Sequence, residues 1–232
     1  AGVSELADHL ELSKGGVYNH LATLNQEGYV LNEGQQYRLS HRFFNLGHFV
    51  KHRNDIYNIA KPELNRLAEM TGGHAILVIE EFGKAIYLYR AVGQQGISEE
   101  FGARRLESTD HLHVSSVGKA LLAHLPPQRV EEIVEKEGLP PKTDETITEV
   151  DVLLEELVKI KDRGYAICDE EAVKGIRAVG APILTEEGSV AGAISASGTK
   201  HQFHDQLLYD ALPQAVMKIV NIIEEKWEVT LS

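Results

Sequence analysis

The chain has 232 residues, enough for one large domain or two small ones. Its 43% hydrophobic and 25% charged residues are typical of a folded globular protein and exclude disorder over the whole length. The net charge of −12 gives no overall attraction to nucleic acid or to an anionic membrane. No apolar run approaches the roughly 20 residues of a membrane span. The lone cysteine, Cys168, excludes an intramolecular disulfide and permits the cytoplasmic location that we expect.

Residues 1–40 predict two short helices followed by a hairpin. Ser4 and Ser13 are the expected N-caps of the two helices, and Gly28 is the expected end of the second. Apolar residues at helical spacing should face a small core in this region, and they are Leu6, Leu10, Val17, Leu21 and Leu24. Gly34 should turn the hairpin.

Residues 41–54 predict a linker helix, and residues 55–232 predict a larger α+β domain. The linker has an apolar stripe at helical spacing, formed by Phe43, Phe44, Leu46, Phe49 and Val50. In the larger domain, we expect helices at 56–70, 116–123, 128–137 and 150–163, and strands at 75–80, 85–91, 165–168, 178–184 and 190–195. A long helix closes the chain, and Pro213 should kink it or mark its start. Elements of one kind follow each other in blocks, which is typical of an α+β fold.

The first 30 residues have the spacing of a helix-turn-helix followed by a wing. Small residues at the start of the second helix let its N-terminus approach a phosphate, where free N–H groups and the helix dipole favour an anion. The polar face of that helix offers side chains to base edges. The predicted DNA contacts are Ser13, Lys14, Gly15, Gly16, Tyr18, Asn19, His20 and Thr23. The alternative is a helical packing module without a nucleic-acid role.

The charge of residues 1–40 does not favour DNA binding. Lys14 and Arg38 are their only cations, against five carboxylates. Such a surface should bind DNA weakly unless other parts of the chain contribute positive charge. Cations of the linker helix, or of a segment preceding Ala1, are one explanation. Adaptation to a salt-rich cell, where acidic surfaces stay hydrated, is the other.

Several blocks of the chain, in order, resemble the IclR family of transcriptional regulators. They are residues 13–30, 37–47, 113–123, 175–183 and 192–198. Residues 13–18 and 211–213 are similar to those of archaeal members. The resemblance implies an N-terminal winged helix-turn-helix over 1–40, a linker helix over 41–54, and a GAF-like effector-binding and oligomerisation domain over 55–232. The family's first helix would lie before Ala1, so we expect the N-terminus to be incomplete.

The resemblance also implies a function without catalysis, cofactor or metal. Homodimers, or dimers of dimers, would bind an inverted-repeat operator in double-stranded DNA, for example as a repressor. A small carboxylate or aromatic metabolite would change the operator affinity. Carried over from the family, the effector contacts are Ser115, Ser116, Val117, Gly118, Cys168, Asp169, Ala178, Ser195 and Ser197.

The residue types at these positions suit an anionic effector. Free N–H groups at the start of the helix after Ser115 can hold a carboxylate. Ser195 and Ser197 lie two apart on a strand, so both hydroxyls face the same side, although small residues there also allow close sheet packing. Asp169 would repel an anion unless it points away or meets a hydroxyl or amine of the effector.

Three other interpretations remain open at this stage. An enzyme could use Cys168 or Ser116 as nucleophile, although the chain has no nucleophile elbow and no phosphate-binding loop. A regulator without a ligand could use the larger domain for dimerisation alone. His111 and His113 could bind zinc with Cys168 and Asp169, but a capping or core role for His113 is favoured. Glutamate pairs should form solvated surfaces, and they begin at Glu99, Glu131, Glu155, Glu170 and Glu224.

Overall fold

The computed structural model describes residues 1–96 and 109–231, so the glutamate pair at 99 and 100 lies outside the described residues. The chain divides into two compact units, Ala1–Asn54 and Asp55–Ser232. Within the described residues, no helix is both long and apolar enough to cross a membrane.

The first unit has three helices and a two-stranded antiparallel hairpin. In chain order its elements are α1 (Val3–Leu10), α2 (Lys14–Gln26), β1 (Val30–Glu33), β2 (Gln36–Leu39) and α3 (Arg42–His52). Its small core contains Ala7, Val17, Leu21 and Val30. The core is small because α3 buries none of its residues within the unit.

Two of the three predicted helix ends in this unit are confirmed. The Ser13 hydroxyl accepts a hydrogen bond from the Gly16 N–H at 3.1 Å, as an N-cap does. Gly28 follows α2 with φ +74°, the left-handed conformation that glycine adopts most easily. The prediction for Ser4 is wrong, since the N-cap of α1 is Gly2, two residues earlier, and the helix begins at Val3. Leu10 and Leu24 were also expected in the core, but both are exposed.

The second unit contains a six-stranded antiparallel sheet with strand order β5-β4-β3-β8-β7-β6. Its strands are β3 (His74–Glu81), β4 (Lys84–Val92), β5 (Asp110–His111), β6 (Ala166–Asp169), β7 (Ile176–Leu184) and β8 (Val190–Thr199). Its described helices are α4 (Asp55–Thr71), α5 (Ser116–Leu122), α6 (Pro127–Glu137), α7 (Val150–Arg163) and α8 (Leu212–Leu231). A π-helical turn, Leu207–Ala211, runs directly into α8, and Pro213 is the second residue of that helix.

Helices cover both faces of this sheet, and strand alternation divides the core into two clusters. On β3, Leu77 packs with α4 and α8, whereas Ile76 and Val78 pack with α5, α6 and α7. On β8, Ile194 belongs to the first cluster and Ala193 to the second. The fold is α+β, as the block order of the sequence predicted.

Candidate functional site

The exposed face of α2 carries the predicted DNA-contacting side chains. Lys14, Tyr18, Asn19 and His20 are all exposed, while Val17 and its neighbour Leu21 hold the opposite face in the core. A Cβ added at Gly15 would meet nothing within 4 Å, so the start of α2 is open to an approaching group. The first N–H groups of a helix have no intrahelical acceptor and can bind a phosphate.

Two of the predicted contacts already use their hydroxyl groups within the helix. The Ser13 oxygen caps Gly16, and the Thr23 hydroxyl donates to the Asn19 carbonyl at 3.1 Å. Both side chains remain exposed. Their first role is therefore to stabilise α2, and any bond to DNA would add to that role or replace it.

The cations of the first unit are distributed around the wing and α3. Arg38 forms an ion pair with Glu33, with 2.5 Å between its Nε and the carboxylate oxygen, so its guanidinium group is less available to bind a phosphate. Arg42 lies 4.5 Å above the centre of the Tyr29 ring and donates to the Glu27 carbonyl. Over residues 1–54, five lysines and arginines balance five carboxylates. The acidic excess of residues 1–40 is thus compensated by α3 and the residue that follows it.

The predicted effector residues of the sheet share one face. Ser197 pairs in register with Ala178 on one side and with His74 on the other, and Ala178 pairs with Cys168. Ser195 lies two residues before Ser197. Residues paired in register point to the same side of a sheet, so the side chains of Cys168, Ala178, Ser195 and Ser197 form one continuous surface, which we call the effector face.

The start of α5 lies directly against this surface. A Cβ at Gly180, the register partner of Ser195, would be 2.8 Å from backbone atoms of Ser116 and Val117. The Ser115 hydroxyl caps α5 by accepting from the Gly118 N–H at 3.2 Å. The Cys168 thiol donates to the Val114 carbonyl at 3.6 Å. The structure thus brings together every predicted effector residue except Asp169.

Asp169 lies on the opposite face of the sheet. Its carboxylate accepts two hydrogen bonds from Arg177, at 2.7 and 2.9 Å. Arg177 is buried and also donates to Asp205 at 2.6 Å and to the Phe203 carbonyl at 3.2 Å. Of the two arrangements expected for Asp169, the one in which it points away is observed.

Sequence reasoning missed two polar residues on the effector face. Arg90 pairs in register with Ile76, whose other partner is Ser195, so the guanidinium group shares a face with the serines. Its Nη2 lies 2.9 Å from Nδ1 of His74, which is buried. The signal was a polar residue within a mostly apolar stretch of each strand, but only the register shows that the two meet.

The chemistry of Cys168 does not suit a nucleophile. Burial raises the pKa of its thiol to about 11, and Glu171 adds to the effect. His113 is also buried, and its Nε2 lies 3.1 Å from the Pro140 carbonyl. Burial lowers the pKa of this imidazole. In the described parts of the chain, no group of three or more His, Cys, Asp or Glu residues could hold a metal ion.

Glu171 contradicts the expectation that the glutamate pairs are solvated. It is buried after β6 and binds the ammonium of Lys119, in α5, at 2.6 and 2.7 Å. This ion pair connects the helix that borders the effector face to the segment that follows Cys168 and Asp169.

Comparison with known proteins supports the two-part organisation. The family model described as "Bacterial transcriptional regulator IclR C-terminal" matches residues 48–224, and that described as "Bacterial regulatory protein, arsR family" matches residues 2–31. The probable HTH-type transcriptional regulator ArcR of Halobacterium salinarum is 34% identical over 97% of this chain and 86% of its own length. The HTH-type transcriptional repressor AllR of Klebsiella pneumoniae is 29% identical over 85% and 72%.

Solved structures show the same fold. Thermotoga maritima IclR has a TM-score of 0.73 and 29% identity, covering 97% of this chain and 90% of that one. An IclR homologue from Microbacterium hydrocarbonoxydans, solved with 4-hydroxybenzoate, has a TM-score of 0.79 and 21% identity, covering 98% and 91%. A segment that matches a helix-turn-helix regulator precedes a domain that matches the C-terminal model of the IclR family, and the chain as a whole is similar to named regulators. The chain therefore belongs to the IclR family of transcriptional regulators.

Proposed function

We propose that this regulator binds an operator in double-stranded DNA through α2, and that a small carboxylate in the second unit changes its operator affinity. The observation that carries the proposal is the effector face. Eight residues expected around an effector lie together there, with an arginine that the sequence analysis had not included.

The donors on the effector face favour an anion. The Arg90 guanidinium, the two serine hydroxyls and the N–H groups at the start of α5 are all hydrogen-bond donors by their chemistry, and guanidinium groups can bind carboxylates in a bidentate manner. Asp169 is turned away, so it does not repel an anion there. The Microbacterium homologue holds 4-hydroxybenzoate, an aromatic carboxylate. A small carboxylate, with or without an aromatic ring, is therefore the effector that fits this surface.

The exposed apolar stripe of α3 supports a homodimer, or a dimer of dimers, on an inverted-repeat operator. The exposed fraction is 78% for Phe44 and 68% for Val50. An exposed apolar stripe of this kind marks a surface that packs against a partner. A second copy with the same stripe would place two copies of α2 on two half-sites.

Further features of the proposal follow from these parts. The protein acts where the DNA is, in the cytoplasm, and represses transcription, as the name of AllR states for that relative. We propose no catalytic role, because the two candidate nucleophiles, Cys168 and Ser116, are buried and burial raises the pKa of the thiol.

Selection of genomic DNA fragments by the full-length protein, at several salt concentrations, tests the operator proposal. We expect one inverted repeat to be enriched. Asn19→Ala and His20→Ala should reduce discrimination between sequences, whereas Lys14→Ala should weaken all DNA alike and lower the salt slope by about 1. A lack of enrichment at every salt concentration, or variants that bind as the wild type does, would contradict this assignment.

The same operator then tests the effector proposal. A panel of small carboxylates that includes 4-hydroxybenzoate should contain one that changes operator affinity, and the operator should change the affinity for that carboxylate by the same factor. Arg90→Ala should remove the response and leave DNA binding without carboxylate unchanged. A response that survives Arg90→Ala would show that the arginine is not the anion-binding group.

A further inference from the structure

Helix α7 carries an exposed apolar stripe that the DNA-binding and effector proposals do not use. Val150, Leu154 and Val158 are spaced at i, i+4 and i+8, which places them on one face of the helix. Their exposed fractions are 45%, 42% and 61%. The residues that hold α7 in the core lie on another face, and they are Leu153, Leu157 and Ile160. The α7 stripe is therefore surface that the core of the second unit does not need, and such a surface marks a contact with a partner.

The charges of α7 are divided between its two ends. Carboxylates lie in or just before its N-terminal half, and they are Glu149, Asp151, Glu155 and Glu156. Cations lie in its C-terminal half, together with Asp162, and they are Lys159, Lys161 and Arg163. This division suits the dipole of the helix itself. It also favours antiparallel packing of two copies of α7, because each acidic end then meets a basic end, whereas parallel packing would bring like charges together.

One antiparallel register suits the α7 stripe and the charges together. If Leu154 of each copy faces Val158 of the other, Asp151 of each copy lies level with Lys161 of the other, because both pairs are three residues further out. The four-carbon stem of Lys161 would then cover Val150 of the second copy while its ammonium reaches the carboxylate. The two copies make the same contacts, as a twofold interface requires.

We propose that α7 is a contact between two copies of this chain, in which the two α7 stripes pack antiparallel about a twofold axis. A stable interface buries about 800 Å² on each partner, from about 20–30 residues. Helix α7 has 14 residues, so one such contact is weak. A dimer formed through α3 carries two copies of α7, and two weak contacts made together between dimers reinforce each other. The α7 contact thus joins dimers into a dimer of dimers, and this step rests on the α3 dimer of the proposed function.

Sedimentation of the full-length protein over a range of concentrations tests the contact. The wild type should pass from two to four chains as concentration rises. Val158→Asp would bury a carboxylate against the second copy and should weaken this step by at least about tenfold. Val152→Asp is the matched control, because Val152 is 51% exposed on the other side of the same helix, and it should assemble as the wild type does.

Three results would overturn or relocate the contact. A wild type that never exceeds two chains, or a Val158→Asp variant that assembles as the wild type does, would overturn the proposal. A wild type that passes directly from one chain to two, with Val158→Asp always monomeric, would keep the α7 contact and remove the α3 dimer instead. The failure of one interface is thus distinguishable from the failure of the other.

Charge reversal tests the antiparallel register. Lys161→Glu and Asp151→Lys should each stop at two chains, since each places like charges opposite one another in both halves of the contact. A mixture of the two variants restores opposite charges in both halves and should again reach four chains. Lys159→Glu makes the same charge change as Lys161→Glu on the other side of the helix and should assemble as the wild type does. A mixture that stays at two chains would overturn the antiparallel contact.

Discussion

The ammonium group of Lys119 lies inside the second unit, where its side chain is 2% exposed and both oxygens of Glu171 accept its hydrogen bonds. Taking two charges out of water costs several kcal/mol for each ion, and only good geometry and further hydrogen bonds offset that cost. The Glu171 carbonyl is bonded in turn by the Thr146 hydroxyl at 2.7 Å. The pair thus fixes α5 relative to the end of β6, next to the effector face.

Removing one partner of this pair should destabilise the protein far more than removing both. Lys119→Met leaves an unpaired buried carboxylate and should lower the free energy of unfolding by about 3–5 kcal/mol. The double variant K119M/E171L replaces both charges with apolar groups and should lose much less. Urea unfolding of the three proteins measures the difference. A single variant as stable as the wild type would show that the carboxylate finds water or another partner.

Residue roles that depend on neighbours along the chain could be predicted from the sequence, whereas roles that depend on tertiary contacts could not. Ser13 and Gly28 were found because a cap and a left-handed glycine depend on neighbours within a few residues. Lys119 and Glu171 are 52 residues apart, so no local pattern shows that they meet. Asp169 was expected beside Cys168 on the effector face. The two residues are adjacent on one strand, however, and adjacent side chains of a strand point to opposite faces of the sheet.

At the scale of elements, the approach of α5 to β7 shapes the effector face. Gly118 lets α5 start against the preceding turn, since a Cβ there would be 2.0 Å from the Leu112 carbonyl oxygen. Gly180 does the same for β7, because its α-carbon faces the backbone of Ser116 and Val117. The sequence predicted both elements from hydrophobic periodicity, but not that glycines let their backbones touch.

Gly180→Ala should disrupt this contact. The added methyl group would be 2.8 Å from backbone atoms, which cannot rotate away as a side chain can. Overpacking of this kind costs about 1–3 kcal/mol, occasionally more. Thermal unfolding should show a lower midpoint for the second unit, and carboxylate binding should weaken. The matched control is Gly15→Ala, whose Cβ meets nothing within 4 Å and should leave both properties unchanged.

At the scale of the whole molecule, charge and exposed apolar surface indicate how the chain meets its partners. The chain carries −12, yet residues 1–54 contain equal numbers of cations and carboxylates. The negative charge therefore lies in the second unit, and the DNA-binding unit does not repel phosphate as a whole. Three of the five cations of the first unit follow residue 40, so residues 1–40 alone have an acidic excess that the whole first unit does not have.

Assembly through the apolar stripe of α3 is the remaining prediction. Val50→Asp puts a carboxylate in the middle of the stripe, and burying it unpaired against a second copy should weaken dimerisation by more than about tenfold. Val50 is exposed, so the fold of the first unit should not change. Light scattering over a range of concentrations should show a dimer or larger assembly for the wild type and a shift towards monomer for the variant. Asn45→Asp adds the same charge on the opposite face and should assemble as the wild type does.

Operator affinity should fall with Val50→Asp only, because a monomer brings a single α2 to one half-site. An unchanged mass for Val50→Asp would show that the two copies meet elsewhere.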